Sequence, residues 1–430
     1  MLLTLIIKEL RESVISARFA VTTVLCVALM AGAAGIMLGE YARVQQDYDA
    51  ARAMHERDLQ NIDQEQTFIM GLNVDKPPAP LMVYASGVDP RMPTMVNISL
   101  LRGASGKGGE DENAGLAVFG SLDVASVVLL VLSLAAILLT YDAIAGEKER
   151  GTLKLLLSNS VPRDMVLLGK FIGRYAVILI PFVIGSALAL LMMMVWGAAD
   201  LGGEEYARLG LLTLLSALYV SVFCMLGLLV SSLTRKAATA LLVLLLLWVV
   251  IVYALPRTSS LVAAALEPMP PASGIEAERS RIFLTSLRGM MGGGGGGDRG
   301  DPFGEARKEW ASLDDHVSAK LRSRTSLACN IARISPAGSY LLAATRLADT
   351  GPERHERFMG GVRRFNEVFV TSMREIMEDP DQAGSLGLDM RPDRLDDAVN
   401  SALFDIVLLA GWSVVLFAGA WVAMLRYDVT

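Results

Sequence analysis

The stretch YDAIAGEKERGTLKLLLSNSVPRDMVLLGK, residues 141–170, decides how this chain is read. It leaves a long apolar run, turns abruptly charged, and becomes apolar again too briefly to cross a bilayer, for which a helix needs roughly 20 apolar residues. Gly146 and Gly151 bracket a charged turn, Glu147-Lys148-Glu149-Arg150. Thr152 is placed to cap a short helix whose apolar side is Leu153, Leu156 and Leu157. Pro162 closes that helix, and Gly169-Lys170 leads into the next apolar run. The expectation is a short helix lying across one face of a membrane. Its charged groups would point to the aqueous side, where a soluble partner can push on it.

Outward from this stretch the chain is a membrane protein. Its 430 residues are 53% hydrophobic, and mean hydropathy is +0.45. The apolar residues are concentrated in six runs: Phe19–Leu38, Leu122–Tyr141, Tyr175–Trp196, Leu209–Leu233, Ala237–Leu255 and Ala402–Leu425. Each matches a membrane-spanning helix. The first is longer than a usual signal core and follows residues 1–18, which predicts a retained span. Short-loop Lys and Arg set the orientation. Lys8, Arg11, Arg18, Lys148, Arg150, Lys154, Arg163, Lys170, Arg174, Arg235, Lys236 and Arg426 all fall on one side. The loop Gly197–Tyr206 is acidic, with Asp200, Glu204 and Glu205. Both termini and residues 142–174 are therefore expected in the cytoplasm, and segments 39–121 and 256–401 outside.

Smaller patterns add to this frame. Leu3, Ile6, Leu10, Val14 and Ala17 recur at helical spacing, so residues 1–18 read as an amphipathic helix on the inner membrane surface. Ala31, Gly35 and Gly39 form a small-xxx-small row that permits close approach of another helix, within the chain or from a second copy. Asp123 and Asp405 sit near outer membrane ends, as functional intramembrane acids, interfacial anchors or salt-bridge partners of the outer segments. Those segments read as mainly helical. Tyr41, Val44, Tyr48, Ala51 and His55 extend the first span outward. Asp301-Pro302 and Gly351-Pro352 start two more helices, and Leu81-Met82-Val83-Tyr84 reads as a short strand.

Several chemistries are excluded. A net charge of −6 without a strongly basic segment argues against nucleic acid. Cys26 and Cys224 lie in apolar runs and Cys329 stands by itself, so no disulfide framework or zinc spacing exists. The histidines are His55, His316 and His355, and Met192-Met193-Met194 would face three directions on a helix, so no metal site is expected. Gly292–Gly297 and Gly103–Lys107 read as linkers; the residue after Lys107 is Gly108, so no phosphate loop forms and no ATPase is expected in this chain. Neither HExxH nor GxSxG is present.

With these residues in view, Asp142…Gly146-Glu147-x-Glu149-x-Gly151-Thr152-Leu153…Leu156-Leu157…Arg163…Gly169-Lys170 closely resembles the permeases of the type-2 ABC exporter class. The similarity is greatest to the bacterial branch with an enlarged extracytoplasmic domain, whose relatives are associated with multicopper-enzyme maturation and gliding. Where those relatives carry Pro-Val-Ser-Arg, this chain has Ser160-Val161-Pro162-Arg163. Ile334–Tyr340, Ala343-Ala344-Thr345 and Pro77–Leu81 are similar to their outer segments. The resemblance implies a coupling helix that docks into an ATP-binding cassette subunit through Gly146, Glu147, Lys148, Glu149, Arg150, Gly151, Thr152 and Leu153. It also implies a second permease, identical or related, in a bacterial inner membrane. ATP and Mg would be bound by the partner, no cofactor by this chain, and the cargo would be exported. The large outer segments allow an alternative in which the same motion drives an extracytoplasmic protein and nothing crosses the bilayer.

Overall fold

Helices dominate because the apolar runs leave no other way to pair the backbone within lipid. The computed structural model describes residues 2–60, 72–87, 95–99, 103–107, 122–158, 162–196, 201–291, 304–378 and 393–427. Helix α1 (Leu2–Val14) precedes α2 (Ala17–Gln60). Strands β1 (Leu72–Asp75), β2 (Met95–Ser99) and β3 (Gly103–Lys107) follow. Helix α3 covers residues 124–140, and two short helices, α4 (Ala145–Glu149) and α5 (Thr152–Ser158), form an elbow. Then come α6 (Arg163–Trp196), α7 (Gly203–Leu233), α8 (Ala237–Leu266), α9 (Ala272–Met291), α10 (Gly304–Ala332), α11 (Pro336–Leu347), α12 (Pro352–Glu378) and α13 (Leu395–Leu425). Among the described residues, six helices are long and apolar enough to span a membrane: α2, α3 continuing into α4, α6, α7, α8 and α13. At 44 residues, α2 is about 66 Å long and overshoots the roughly 30 Å hydrocarbon core.

The fourth span, α7, is the centre of the bundle. Leu212, Tyr219, Val220, Phe223, Cys224 and Leu228 are all within it and fully buried. It packs against α13, α3, α6 and α8. Glycine sets the closest approaches. A Cβ on Gly227 would lie 1.9 Å from Thr140 Oγ1, and one on Gly185 would lie 2.6 Å from Met30 Sδ. The small-residue row expected to pack, Ala31-Gly35-Gly39, is not where span 1 meets the bundle. Gly39 has nothing near its Cβ position, and Gly35 meets only the Met192 methyl, at 3.3 Å. The packed stripe of α2 is Cys26, Met30, Ala33, Ala34, Met37, Leu38 and Tyr41. Spacing alone marks rows that can approach, whereas the neighbour's side chains decide which row does.

At the end of the bundle away from the elbow, two segments fold inward. Residues 81–87 are buried. Leu81-Met82-Val83 is a turn of 3-10 helix (Pro80–Val83), not the strand expected, because Pro80 at its start favours a turn and all three side chains point into the bundle. Gly103–Lys107, read as a linker, is a strand instead: its backbone finds partners along β2 in an antiparallel sheet of order β1-β2-β3. Val96 and Ile98, two residues apart and so on one face of β2, are buried against Phe358 and Val362 of α12. Helix α11 is nearly all buried and packs on α13 and α7. Asp123 caps α3, accepting from Ser126 N at 2.7 Å, Ser86 N at 2.8 Å and Ser86 Oγ at 2.9 Å. Asp405 is fully buried and paired with Arg333 at 2.7 Å and Arg346 at 2.6 Å. Both acids thus tie spans to the long segments 39–121 and 256–401. Asp301-Pro302 and the glycines 292–297 lie outside the described residues.

Candidate functional site

The elbow begins where α3 ends. Asp142 and Glu147 leave the apolar span, and α1 supplies a third acid, Glu9, to the same place. Three bases interleave with them. Arg18 Nη1 is 2.8 Å from Asp142 Oδ2, and Arg174 Nη1 is 2.7 Å from Asp142 Oδ1. Arg174 Nε is 3.2 Å from Glu9 Oε2, and Lys170 Nζ is 2.8 Å from Glu9 Oε1. Lys170 Nζ also reaches Glu147 Oε1 at 2.6 Å. The result is a chain of alternating charge, Arg18–Asp142–Arg174–Glu9–Lys170–Glu147, in which no ion stands alone. That matters because burying an uncompensated charge costs several kcal/mol. Burial by itself would raise the Glu9 carboxyl, but Lys170 and Arg174 outweigh it and hold it below the ordinary glutamate range.

Glycine lets α1 come close enough to join. A Cβ on Gly173 would sit 2.7 Å from Glu9 Cβ, and one on Gly169 would sit 3.2 Å from Leu5 Cβ. Of the stripe expected on α1, Leu3, Val14 and Ala17 are exposed and Ile6 and Leu10 half-buried, while Leu5 and Glu9, off that stripe, face Gly169 and Gly173 of α6.

The elbow reaches the remaining spans as well. Ser231 Oγ on α7 accepts from the amides of Ile144 at 3.0 Å and Ala145 at 2.9 Å. Lys148 donates to the carbonyls of Ser232 and Thr234 at the end of the same span. Glu149 accepts the Ala237 amide at 3.1 Å, capping α8. The Lys148 ammonium lies 5.0 Å from the Tyr427 ring centroid, just beyond α13. Arg163 donates to the carbonyls of Met424, Leu425 and Tyr427 at 2.9, 2.8 and 3.0 Å, closing the end of α13. Ile144 and Leu153 pack with Val166, Leu228, Ala420 and Met424 in one apolar cluster. One elbow thus holds an end of every span.

The residues singled out from sequence divide accordingly. Gly146 is buried, and Arg150 Nε folds back onto its carbonyl at 3.1 Å. Glu147, Lys148 and Glu149, expected to point to the aqueous side, make contacts within the chain, because the ends of α6, α7 and α8 offer charges and unpaired backbone groups within reach. Gly151 turns the chain at φ +73°, a conformation that favours glycine. Thr152, expected as a cap, instead begins α5, and its hydroxyl turns back to the Glu147 carbonyl at 3.4 Å. Leu153 is buried. The exposed crest of the elbow is Glu149, Arg150, Gly151, Thr152, Lys154 and Leu155. Leu155 is a large apolar side chain left 69% exposed. Glu9 and Arg18 were not singled out as site residues: their partners lie far along the chain, and nothing in the spacing along α1 names them. Asn159-Ser160-Val161, where the departure from the relatives' Pro-Val-Ser-Arg begins, lies outside the described residues.

Comparison with known proteins agrees with this architecture. The family model described as "ABC-2 family transporter protein" matches residues 3–429. The "Probable ABC transporter permease protein NosY" of Stutzerimonas stutzeri is 44% identical over 68 residues, 16% of this chain and 25% of that protein. The "Probable multidrug ABC transporter permease YbhS" of Escherichia coli strain K12 is 31% identical over 117 residues, 27% of this chain and 29% of that protein. The matched regions span between a quarter and a third of these relatives' length. With a family model running nearly end to end over six apolar helices joined at one charged elbow, the chain belongs to the ABC-2 family of transporter proteins and is a multi-pass membrane protein.

Proposed function

We propose that this permease is the transmembrane subunit of an ABC exporter. A separate subunit binds ATP and Mg, hydrolyses the nucleotide, and docks on the elbow. Two permeases, identical or related, pair in a bacterial inner membrane with both termini in the cytoplasm. The observation that carries this reading is the elbow itself: a crest with an exposed Leu155 sits on a rigid knot of contacts to every span. Load applied to the crest has direct routes out of the elbow. It passes through Glu147–Lys170 to α6 and α1, through Ser231 and Lys148 to α7, and through Arg163 to α13. Bistable packing then turns a small push into a rearrangement of spans.

On the export reading, a cargo would enter at the open groove beside the elbow, lined by Arg18, Val21, Leu138, Tyr141 and Leu241 among others. A second reading, mechanical drive of an extracytoplasmic protein, is favoured by the far end of the bundle. There residues 81–86 and α11 fill the space with buried side chains, and the outer segments stand ready to transmit movement.

The test is Leu155→Asp in the full chain, co-reconstituted with its ATP-binding subunit. Docking through the crest predicts loss of permease-dependent stimulation of ATP hydrolysis by at least ten-fold, with unchanged thermal stability of the permease. Wild-type stimulation in this variant would remove the crest from the docking surface.

A further inference from the structure

Two spans depart from the α-helix at one stretch each: α3 is π-helical over Val128–Leu132, and α8 over Val249–Ala254. Such turns shift the amide partner from four to five residues back, so one carbonyl loses its helical donor. In α3 the Ser133 amide donates to Val128 O and Leu130 O, passing over Leu129 O. In α8 the Leu255 amide donates to Val250 O, passing over Ile251 O. The next residue, Pro256, has no amide and crowds the turn before it, a physical cause for the irregularity in α8.

Each skipped carbonyl is taken by a hydroxyl from another element. Leu129 O accepts from Tyr219 Oη of α7 at 3.0 Å, and from its own Ser133 Oγ at 2.5 Å. Ile251 O accepts from Ser335 Oγ at 2.5 Å. Ser335 is the cap of α11, its oxygen also accepting from Ala337 N at 3.1 Å. The same short helix reaches the other site, because the Tyr340 ring stacks on Tyr219 with centroids 4.4 Å apart. Tyr340 Oη and Tyr84 Oη both meet Ser216 Oγ, at 3.0 and 2.9 Å. Trp248 Nε1 donates to Ser133 Oγ at 2.8 Å, joining the two irregular spans directly.

We propose that the π-helical stretches are hinges in spans 2 and 5, and that α11 is the latch that holds them. While Ser335 and Tyr219 occupy the carbonyls of Ile251 and Leu129, the five-residue pairing is stable. Withdrawal of α11 frees the Ile251 carbonyl to pair with Leu255 N and removes the Tyr340 ring stacked on Tyr219, which loosens the Tyr219 bond so that the Leu129 carbonyl can pair with Ser133 N, the regular four-residue partner. That repairing rotates the outer half of each span relative to its inner half. The device joins the outer segments to two spans at once, and it stands whether or not the elbow is the docking point.

Hydrogen–deuterium exchange by mass spectrometry on the full chain in lipid nanodiscs tests it. Ser335→Ala is expected to accelerate exchange in peptides covering residues 249–255 at least ten-fold, and Tyr219→Phe to do the same for residues 128–134. Peptides of the elbow should keep the wild-type rate. Ser335→Thr retains a hydroxyl and is expected to behave as wild type. Ser221→Ala removes a contact between spans 4 and 6, that to Ser413 at 3.0 Å, without removing either hydroxyl that holds a hinge carbonyl, and is also expected to leave both peptides unchanged. Unchanged exchange at both hinges in the first two variants, or equal acceleration across all spans, would overturn the latch.

Discussion

Glu147→Lys is expected to lower the stability of the permease by about 3–5 kcal/mol, the usual result of breaking a buried ion pair and leaving a charge uncompensated. The acid it replaces lies 2.6 Å from Lys170, whose side chain is 4% exposed. A second ammonium there would repel Lys170 toward Glu9 and disturb the pairing of Glu9 with Arg174. Helix α1 is held to α6 chiefly through this point and through close contacts at Gly169 and Gly173. The variant should therefore release α1, seen as new trypsin cleavage at Lys8 or Arg11, together with a lower unfolding temperature. Glu147→Gln keeps the shape and one acceptor oxygen. It should cost only about 1–3 kcal/mol and leave α1 protected. If Glu147→Lys unfolds like the wild type and α1 stays protected, the alternating charges do not hold the elbow.

Gly227→Ala is the second large effect. Its new methyl would meet Thr140 Oγ1 at 1.9 Å and Thr140 Cβ at 2.8 Å, contacts that real side chains do not make. The hydroxyl cannot simply swing aside without losing its bond to Ala136 O at 2.6 Å. Overpacking of this kind costs about 1–3 kcal/mol or more, and here it separates spans 2 and 4, which carry the elbow contacts at Ile144 and Ser231. Thr140→Gly should restore part of the loss in the double variant, since it removes both clashing atoms. A thermal-unfolding cycle over the single and double variants checks this: simple additivity would contradict direct contact between the two positions.

Much of the architecture is legible in the sequence because bilayer thickness imposes a length on every apolar run, and charged residues mark where each run must stop. The helix start at Gly351-Pro352 and the extension of span 1 through His55 follow from equally local rules. The contacts that give the elbow its character do not. Glu9 and Lys170 are 161 residues apart, and nothing along the chain says which acid of α1 will meet a base at the start of span 3. Glu147 to Glu149 read as a solvated turn, yet they end up satisfying the ends of neighbouring helices, a demand that exists only once those helices are adjacent. Helix α11 escapes notice as a bundle element because its 12 residues are too few to span and carry serine and tyrosine. Its cap hydroxyl, Ser335, donates to a carbonyl left free by the irregular turn of α8, an acceptor that exists only once α8 is in place. Of the two glycines in the row Ala31-Gly35-Gly39, among the described residues only Gly35 has a neighbour at its Cβ position, the Met192 methyl, because spacing marks a row that can approach but not which neighbour will.

The central claim is that force enters at the crest of the elbow, and site-specific cross-linking tests it most directly. Leu155→Cys, carried in the full chain together with Cys329→Ser and co-assembled with the ATP-binding subunit, is to be treated with a short bifunctional thiol reagent. Ser260→Cys, on α8 at the opposite end of the bundle, serves as the comparison. The account predicts a covalent permease–ATPase adduct from position 155 and none from position 260. An adduct from 260 with none from 155 would contradict both the docking point and the orientation of the chain.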